Sequence, residues 1–218
     1  MVKRVRGGAP AAIWTLAGIF VGIEILLQLL GPEVRFDVAY RLFAFFDWRL
    51  EAALGGQTPT PALFWSFFTH AFLHGGLAHL GMNTVIFLAL GAHLARAVGT
   101  PATLWLFFGT AAAGALTFGL IVGPELRYVP MVGASGGLFG FLGAMKRWEW
   151  RYVSANALPT RRFWSTMLAL VLINVLLSLG LGLEGGGVAW EAHLGGFVAG
   201  WLAGGALTPR RGTAIGPI

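Results

Sequence analysis

The chain contains no cysteine, so neither disulfides nor thiolate chemistry enters its folding or its function. It is also poor in charge. Only 11% of its 218 residues are Asp, Glu, Lys or Arg, against about 25% in an ordinary soluble domain. Hydrophobic residues make up 56% of the chain, and the mean hydropathy is +0.73. Together these exclude a freely soluble globule. Apolar runs near the membrane-spanning length recur along the chain, which points to a polytopic helical membrane protein. A net charge of +6 would suit nucleic acid. The basic residues, however, gather in a few short segments between apolar runs, which is the pattern of membrane topology.

Six spans are predicted, at 10–30, 76–97, 101–122, 132–149, 163–183 and 189–207, in a single domain covering 1–218. The first apolar run, Ala11 to Leu30, is longer than the roughly 7–15 residues of a cleaved signal and is read as a retained span. Residues 31–75 form neither a clean span nor a simple loop, and are read as partly interfacial and amphipathic. With the N-terminus in the cytoplasm, Lys3, Arg4, Arg6, Arg96, Lys146, Arg147, Arg151, Arg161, Arg162, Arg210 and Arg211 fall on the cytoplasmic side. Only Arg35, Arg41, Arg49 and Arg127 fall outside. This positive-inside bias predicts a multi-pass cell-membrane protein with both termini cytoplasmic, with the bacterial inner membrane as the expected location.

The fourth run, MVGASGGLFGFLGAMKRWEW at 131–150, is too short for its place. From Met131 to Met145 a helix rises about 22 Å, less than the roughly 30 Å hydrocarbon core. Lys146, Arg147, Trp148 and Trp150 mark its cytoplasmic end. The other end is therefore expected to stop inside the membrane, with Gly133 and Ala134 as a non-helical approach and Ser135 opening the helix. Backbone of that kind survives at such depth only where it lines a wet cavity or is buried in protein. A helix start there offers free N–H groups and a positive dipole end, a setting suited to a developing oxyanion. Counted from the cytoplasmic ends of their helices, His193, Asn83 and His79 fall in the same layer, about 20–22 Å up for the first two and one turn higher for His79. Polar groups at membrane depth are costly and tend to be functional.

GASGG matches the G-x-S-x-G elbow of soluble hydrolases, but no strand precedes it, and that reading is discarded. Gly136, Gly140 and Ala144 form one small-residue stripe, and Gly196, Gly200 and Gly204 form another. These stripes predict close contact between the fourth and sixth spans, with His193 delivered to the serine. His70 and His74 are four apart, as are His79 and Asn83. A metal site is disfavoured there, because no cysteine or carboxylate joins the cluster and Gly75-Gly76 interrupts any helix. His70 and His74 are read as local hydrogen-bonding residues that shape the loop. Glu24, with no partner visible, is read as structural, and Asn174 as an interhelical polar contact. His93 carries no hypothesis.

GASG opening the fourth span, AHLGG in the sixth, and HAFLHGGLAHLGMN leading through the second resemble the rhomboid family of intramembrane serine proteases. The resemblance implies an all-α, six-transmembrane bundle of the bacterial core type. It implies Ser135 as nucleophile and His193 as base, with His79, Asn83 and the Ser135 backbone N–H stabilising the oxyanion. Gly133, Gly136, Phe139 and Gly196 are supporting residues, Phe139 standing where the family commonly has a tyrosine behind the histidine. No aspartate is placed to orient His193, so Phe139 and the glycine stripes are expected to hold its ring. Neither cofactor nor metal is implied. The implied partners are single-span transmembrane substrates, cut near the extracytoplasmic face, and the lipid bilayer, with no nucleic acid. The fifth span and the loop EGGGVAWEAH are expected to move to admit them. The chain departs from the family pattern at Trp65-Ser66, where Trp-Arg is common, and at Ala95-Arg96, where a glutamate often ends the second helix. The alternative function is an inactive rhomboid-like protein that binds client helices.

Overall fold

The computed structural model describes residues 9–179 and 188–210. Among these residues the fold is all-helical, with a single isolated antiparallel bridge between Phe45 and Met131. Six long helices correspond to the six predicted runs: α1 (Ala11–Leu30), α5 (Leu77–Val98), α6 (Thr100–Ile121), α7 (Ser135–Ala155), α8 (Arg161–Ser178) and α9 (Trp190–Ala206). Of these, α1, α5, α6 and α8 are long and apolar enough to cross a membrane on length and composition alone. Residues 180–187, which hold the end of the predicted fifth span and the first part of the predicted moving loop, lie outside the described residues.

Helix α7 runs past its predicted end near residue 149, and the reason is electrostatic. Lys146 is not a solvated interfacial anchor. It is buried, with Nζ 2.5 Å from Glu149 Oε2 and a further bond to Thr166 of α8. Its ammonium also lies 5.2 Å from the Phe163 ring. Trp148 donates its indole N–H to the carbonyls of Gly204 and Leu207, each at 3.0 Å. These polar groups are satisfied inside the helix packing, so nothing forces the helix to end there.

The segment predicted as interfacial is a chain of short pieces: a π-helical stretch Val34–Tyr40, α2 (Arg41–Phe43), α3 (Asp47–Leu54), α4 (Pro61–Thr69) and a 3₁₀ turn at His70–Phe72. Its inner side forms a core of Phe45, Leu50 and Leu63 against Ala115 and Phe118 of α6 and Met131. Its outer side leaves Phe36, Leu42, Phe43, Phe64 and Phe68 exposed.

Glu24, expected to stand alone in the first span, has a partner. It is fully buried and takes two bonds from the Arg35 guanidinium, Nη2 to Oε1 at 2.8 Å and Nη1 to Oε2 at 3.1 Å. Arg35 Nη1 and the Tyr40 hydroxyl both donate to the His74 carbonyl, at 3.0 and 2.9 Å. One carboxylate on α1 thus clamps the beginning and the end of the 31–75 segment together.

Between the helices, Phe20, Phe87, Phe107 and Phe141 interlock at ring distances of 5.1 to 6.2 Å, tying α1, α5, α6 and α7. Helices α7 and α9 meet differently, backbone to backbone. A Cβ on Gly196 would lie 2.0 Å from the Gly136 carbonyl oxygen, and one on Gly200 would lie 2.0 Å from that of Gly140. A Cβ on Gly204 would meet Ala144 Cα at 2.8 Å. By contrast α8 sits at the edge of the bundle and buries only Phe163.

Gly200→Ala is expected to lower the thermal midpoint in detergent by about 5 °C or more, since helix backbone cannot yield 2 Å as a flexible side chain can. Gly18→Ala, with nothing within 4 Å of its new methyl, is expected to raise it slightly. In a denaturant titration, Glu24→Gln and Arg35→Met are each expected to cost about 3–5 kcal/mol by stranding a buried charge or its partners. The double replacement Glu24→Leu with Arg35→Met is expected to cost clearly less than the two single losses added together.

Candidate active site

The site begins with the backbone that leads into α7. Phe45 N–H donates to the Met131 carbonyl at 3.1 Å, and Met131 N–H donates back at 2.9 Å. Gly133 N–H donates to the His70 carbonyl at 2.9 Å. The extended approach is therefore satisfied by the 31–75 segment rather than left bare, as buried backbone demands. Gly133 has φ +119°, a conformation that side chains resist, and a Cβ there would sit 2.7 Å from His79 Cε1 and 2.8 Å from His79 Nε2. Only glycine lets the chain turn under that imidazole. Helix α7 then opens at Ser135, and no side chain caps its first turn.

His193 arrives from α9. Its Nε2 lies 2.8 Å from Ser135 Oγ. Phe139, one turn into α7, stacks flat against the imidazole at a centroid distance of 4.2 Å and an interplanar angle of 8°. The far ring nitrogen, Nδ1, lies 2.5 Å from Asn174 Oδ1 on α8. His193 is 2% exposed. The glycine contacts of α7 and α9 bring these two groups, 58 residues apart in sequence, to bonding distance. Asn174 was legible in the sequence only as a polar residue in an apolar span. Its partner depends on how α8 is registered against α9, which no local pattern records.

His79 closes the other side. Its Nδ1 accepts the Gly75 N–H at 3.3 Å, which leaves the hydrogen on Nε2, the atom that faces Gly133. Asn83, one turn further down α5, is 1% exposed and donates Nδ2 to the His79 carbonyl at 2.9 Å. Its second Nδ2 hydrogen is free of that bond, and its Oδ1 is buried without a partner.

His70 and His74 do not share a helix face, because the turn at His70–Phe72 ends before Leu73. The His70 ring bonds the Ser66 carbonyl at 2.9 Å, while its own carbonyl holds Gly133. The fully buried His74 ring packs edge-on against His79 at 5.3 Å. Burial pushes His70 down to about 4. Burial, with the nearby His79 second, pushes His74 down to about 3. Both rings are therefore neutral near pH 7. Among the described residues no three His, Asp or Glu side chains converge as metal ligands.

The arrangement places a hydroxyl within hydrogen-bond distance of an imidazole nitrogen at an uncapped helix start, a combination suited to acyl transfer. Known proteins carry related chains. The family model of the Rhomboid domain matches residues 61–210. The rhomboid protease GluP of Bacillus subtilis is 29% identical over 153 residues, covering 70% of this chain and 28% of that protein. RHOMBOID-like protein 4 of Arabidopsis thaliana is 35% identical over 143 residues, covering 64% of this chain and 33% of its own. The mitochondrial rhomboid protein 1 of Saccharomyces cerevisiae is 34% identical over 236 residues, covering 91% of this chain and 64% of that protein. The chain thus spans less than two thirds of the length of each of these relatives. The matched residues include the whole run of helices from α4 to α9, and with them Ser135, His193 and His79, so the chain belongs to the rhomboid family of membrane proteins.

Proposed function

We propose that this chain is an intramembrane serine endopeptidase in which Ser135 and His193 act as a catalytic dyad. The observation that supports it most directly is the 2.8 Å contact between His193 Nε2 and Ser135 Oγ at the opening of α7. In this reading His193 takes the hydroxyl proton as Ser135 Oγ attacks the scissile carbonyl carbon. The oxyanion forms against the Ser135 backbone N–H, His79 Nε2–H and Asn83 Nδ2–H, each worth about 2.7–4 kcal/mol in the transition state. Protonated His193 then gives its proton to the leaving amine as the peptide C–N bond breaks. Water, deprotonated by the same imidazole, releases the acyl group and regenerates the serine.

The substrates proposed are single-span membrane proteins cut near the extracytoplasmic end of the span. A helix hides its peptide carbonyls in its own hydrogen bonds, so it must unwind before one can reach Ser135. Small or helix-breaking residues are therefore expected around the cut. The positive-inside charge bias supports cytoplasmic termini and a site opening on the opposite face, in a bacterial inner membrane.

A fluorophosphonate probe is expected to label the wild-type protein covalently, and labelling is expected to vanish in Ser135→Ala and in His193→Ala. Equal labelling of all three would rule the dyad out, and no labelling of a folded wild-type protein would favour the inactive client-binding reading. Removing the stacked ring in Phe139→Ala is expected to lower kcat on a transmembrane peptide about tenfold while KM changes by less than about twofold.

A further inference from the structure

We infer that Asn174 is a positioning residue that fixes the tautomer of His193 and makes the base competent only while α8 lies against α9. The inference deepens the protease reading and rests on it for its kinetic consequence. It begins with one distance, 2.5 Å between Asn174 Oδ1 and His193 Nδ1. An amide oxygen can only accept, so Nδ1 carries the hydrogen. A neutral imidazole has a single N–H, and Nε2 is therefore left with its lone pair facing Ser135 Oγ. That is the form able to take the serine proton. The opposite tautomer would press two lone pairs together at the Asn174 contact and leave the hydroxyl without an acceptor.

The placement of Asn174 argues that this bond is its purpose. Its neighbours Val171, Leu172, Ile173, Val175 and Leu176 are exposed apolar side chains, suited to lipid. An amide in such a run is costly unless it is paired. It is not needed to dock α8, which is anchored near its other end. There Phe163 is buried against Trp150 and Trp201, and Thr166 bonds Lys146. The role filled by a carboxylate in a three-residue serine protease site is thus filled by an uncharged oxygen from a peripheral helix. An uncharged acceptor orients the ring without adding a buried charge to the membrane. Any displacement of α8 at this level removes the acceptor and leaves the ring held by Phe139 alone.

The test reads the tautomer directly. In protein labelled with 15N-histidine in detergent, the His193 resonances are identified by their loss in His193→Gln. The wild type is expected to show a protonated Nδ1 and an unprotonated Nε2. Asn174→Leu, close to isosteric but without an acceptor, is expected to show a mixture of tautomers. Its fluorophosphonate labelling rate and kcat are expected to fall by about tenfold or more, with KM within about twofold. Asn174→Asp, which keeps the acceptor oxygen, is expected to hold the Nδ1–H signature and return labelling to within about threefold of wild type. A wild-type proton on Nε2 overturns the inference. So does an Asn174→Leu protein with unchanged tautomer, whatever its activity, since any loss then belongs to packing. If the tautomers behave as expected but the wild type neither labels nor cleaves, the protease reading fails while the assignment of Asn174 to the His193 ring stands.

Discussion

The contact between His193 and Ser135 is made across the seam between α7 and α9, where two helices touch through bare backbone. Gly136 and Gly140 present carbonyls that Gly196 and Gly200 meet at distances no Cβ would permit. In a bilayer, apolar side chains gain little by leaving lipid for protein, so helices associate through close packing. This seam supplies that packing and also sets the geometry, because a helix displaced by even one methyl would carry His193 away from Ser135. The glycines serve stability and position in the same act.

The second constraint is the buried, non-helical approach to Ser135. Its backbone groups are bonded by the 31–75 segment, through the carbonyls of Phe45 and His70 and the N–H of Phe45. That segment is in turn held by Glu24, through Arg35, to the His74 carbonyl. A carboxylate in the first span, far from the serine in sequence, thereby anchors the loop that supports the serine's backbone. His70 and His74, kept neutral by burial, add polar and aromatic contacts without bringing charge beside the site.

Much of this was legible in the residues. The number and order of the long helices follow from apolar runs, and α1, α5 and α6 begin and end within a residue or two of the expected positions. The opening of α7 at Ser135 was expected, but from the premise of a span ending near residue 149, whereas the helix runs on to Ala155. The pairing of α7 with α9 follows from two stripes of small residues with the same four-residue spacing. Less was legible wherever a residue's partner came from another element. Lys146 read as an anchor because a basic residue after an apolar run usually is one, and its burial depends on Glu149 and Thr166 closing around it. Glu24 read as solitary because Arg35 returns to it only after the chain reverses at Gly31.

By itself the sequence determined the order of the long helices, their apolar runs and their small-residue seams, which follow from hydrophobic periodicity and the four-residue spacing of small side chains. Outside the α7–α9 seam, tertiary structure alone decided the lateral partners, because rotation and register between neighbouring helices depend on many weak contacts summed over whole surfaces. Ser135 was recognisable from its own neighbours. That the ring beside it is steadied by Asn174 of a peripheral helix, and that its approach is bonded to a distant loop, emerges only when all the helices are packed together.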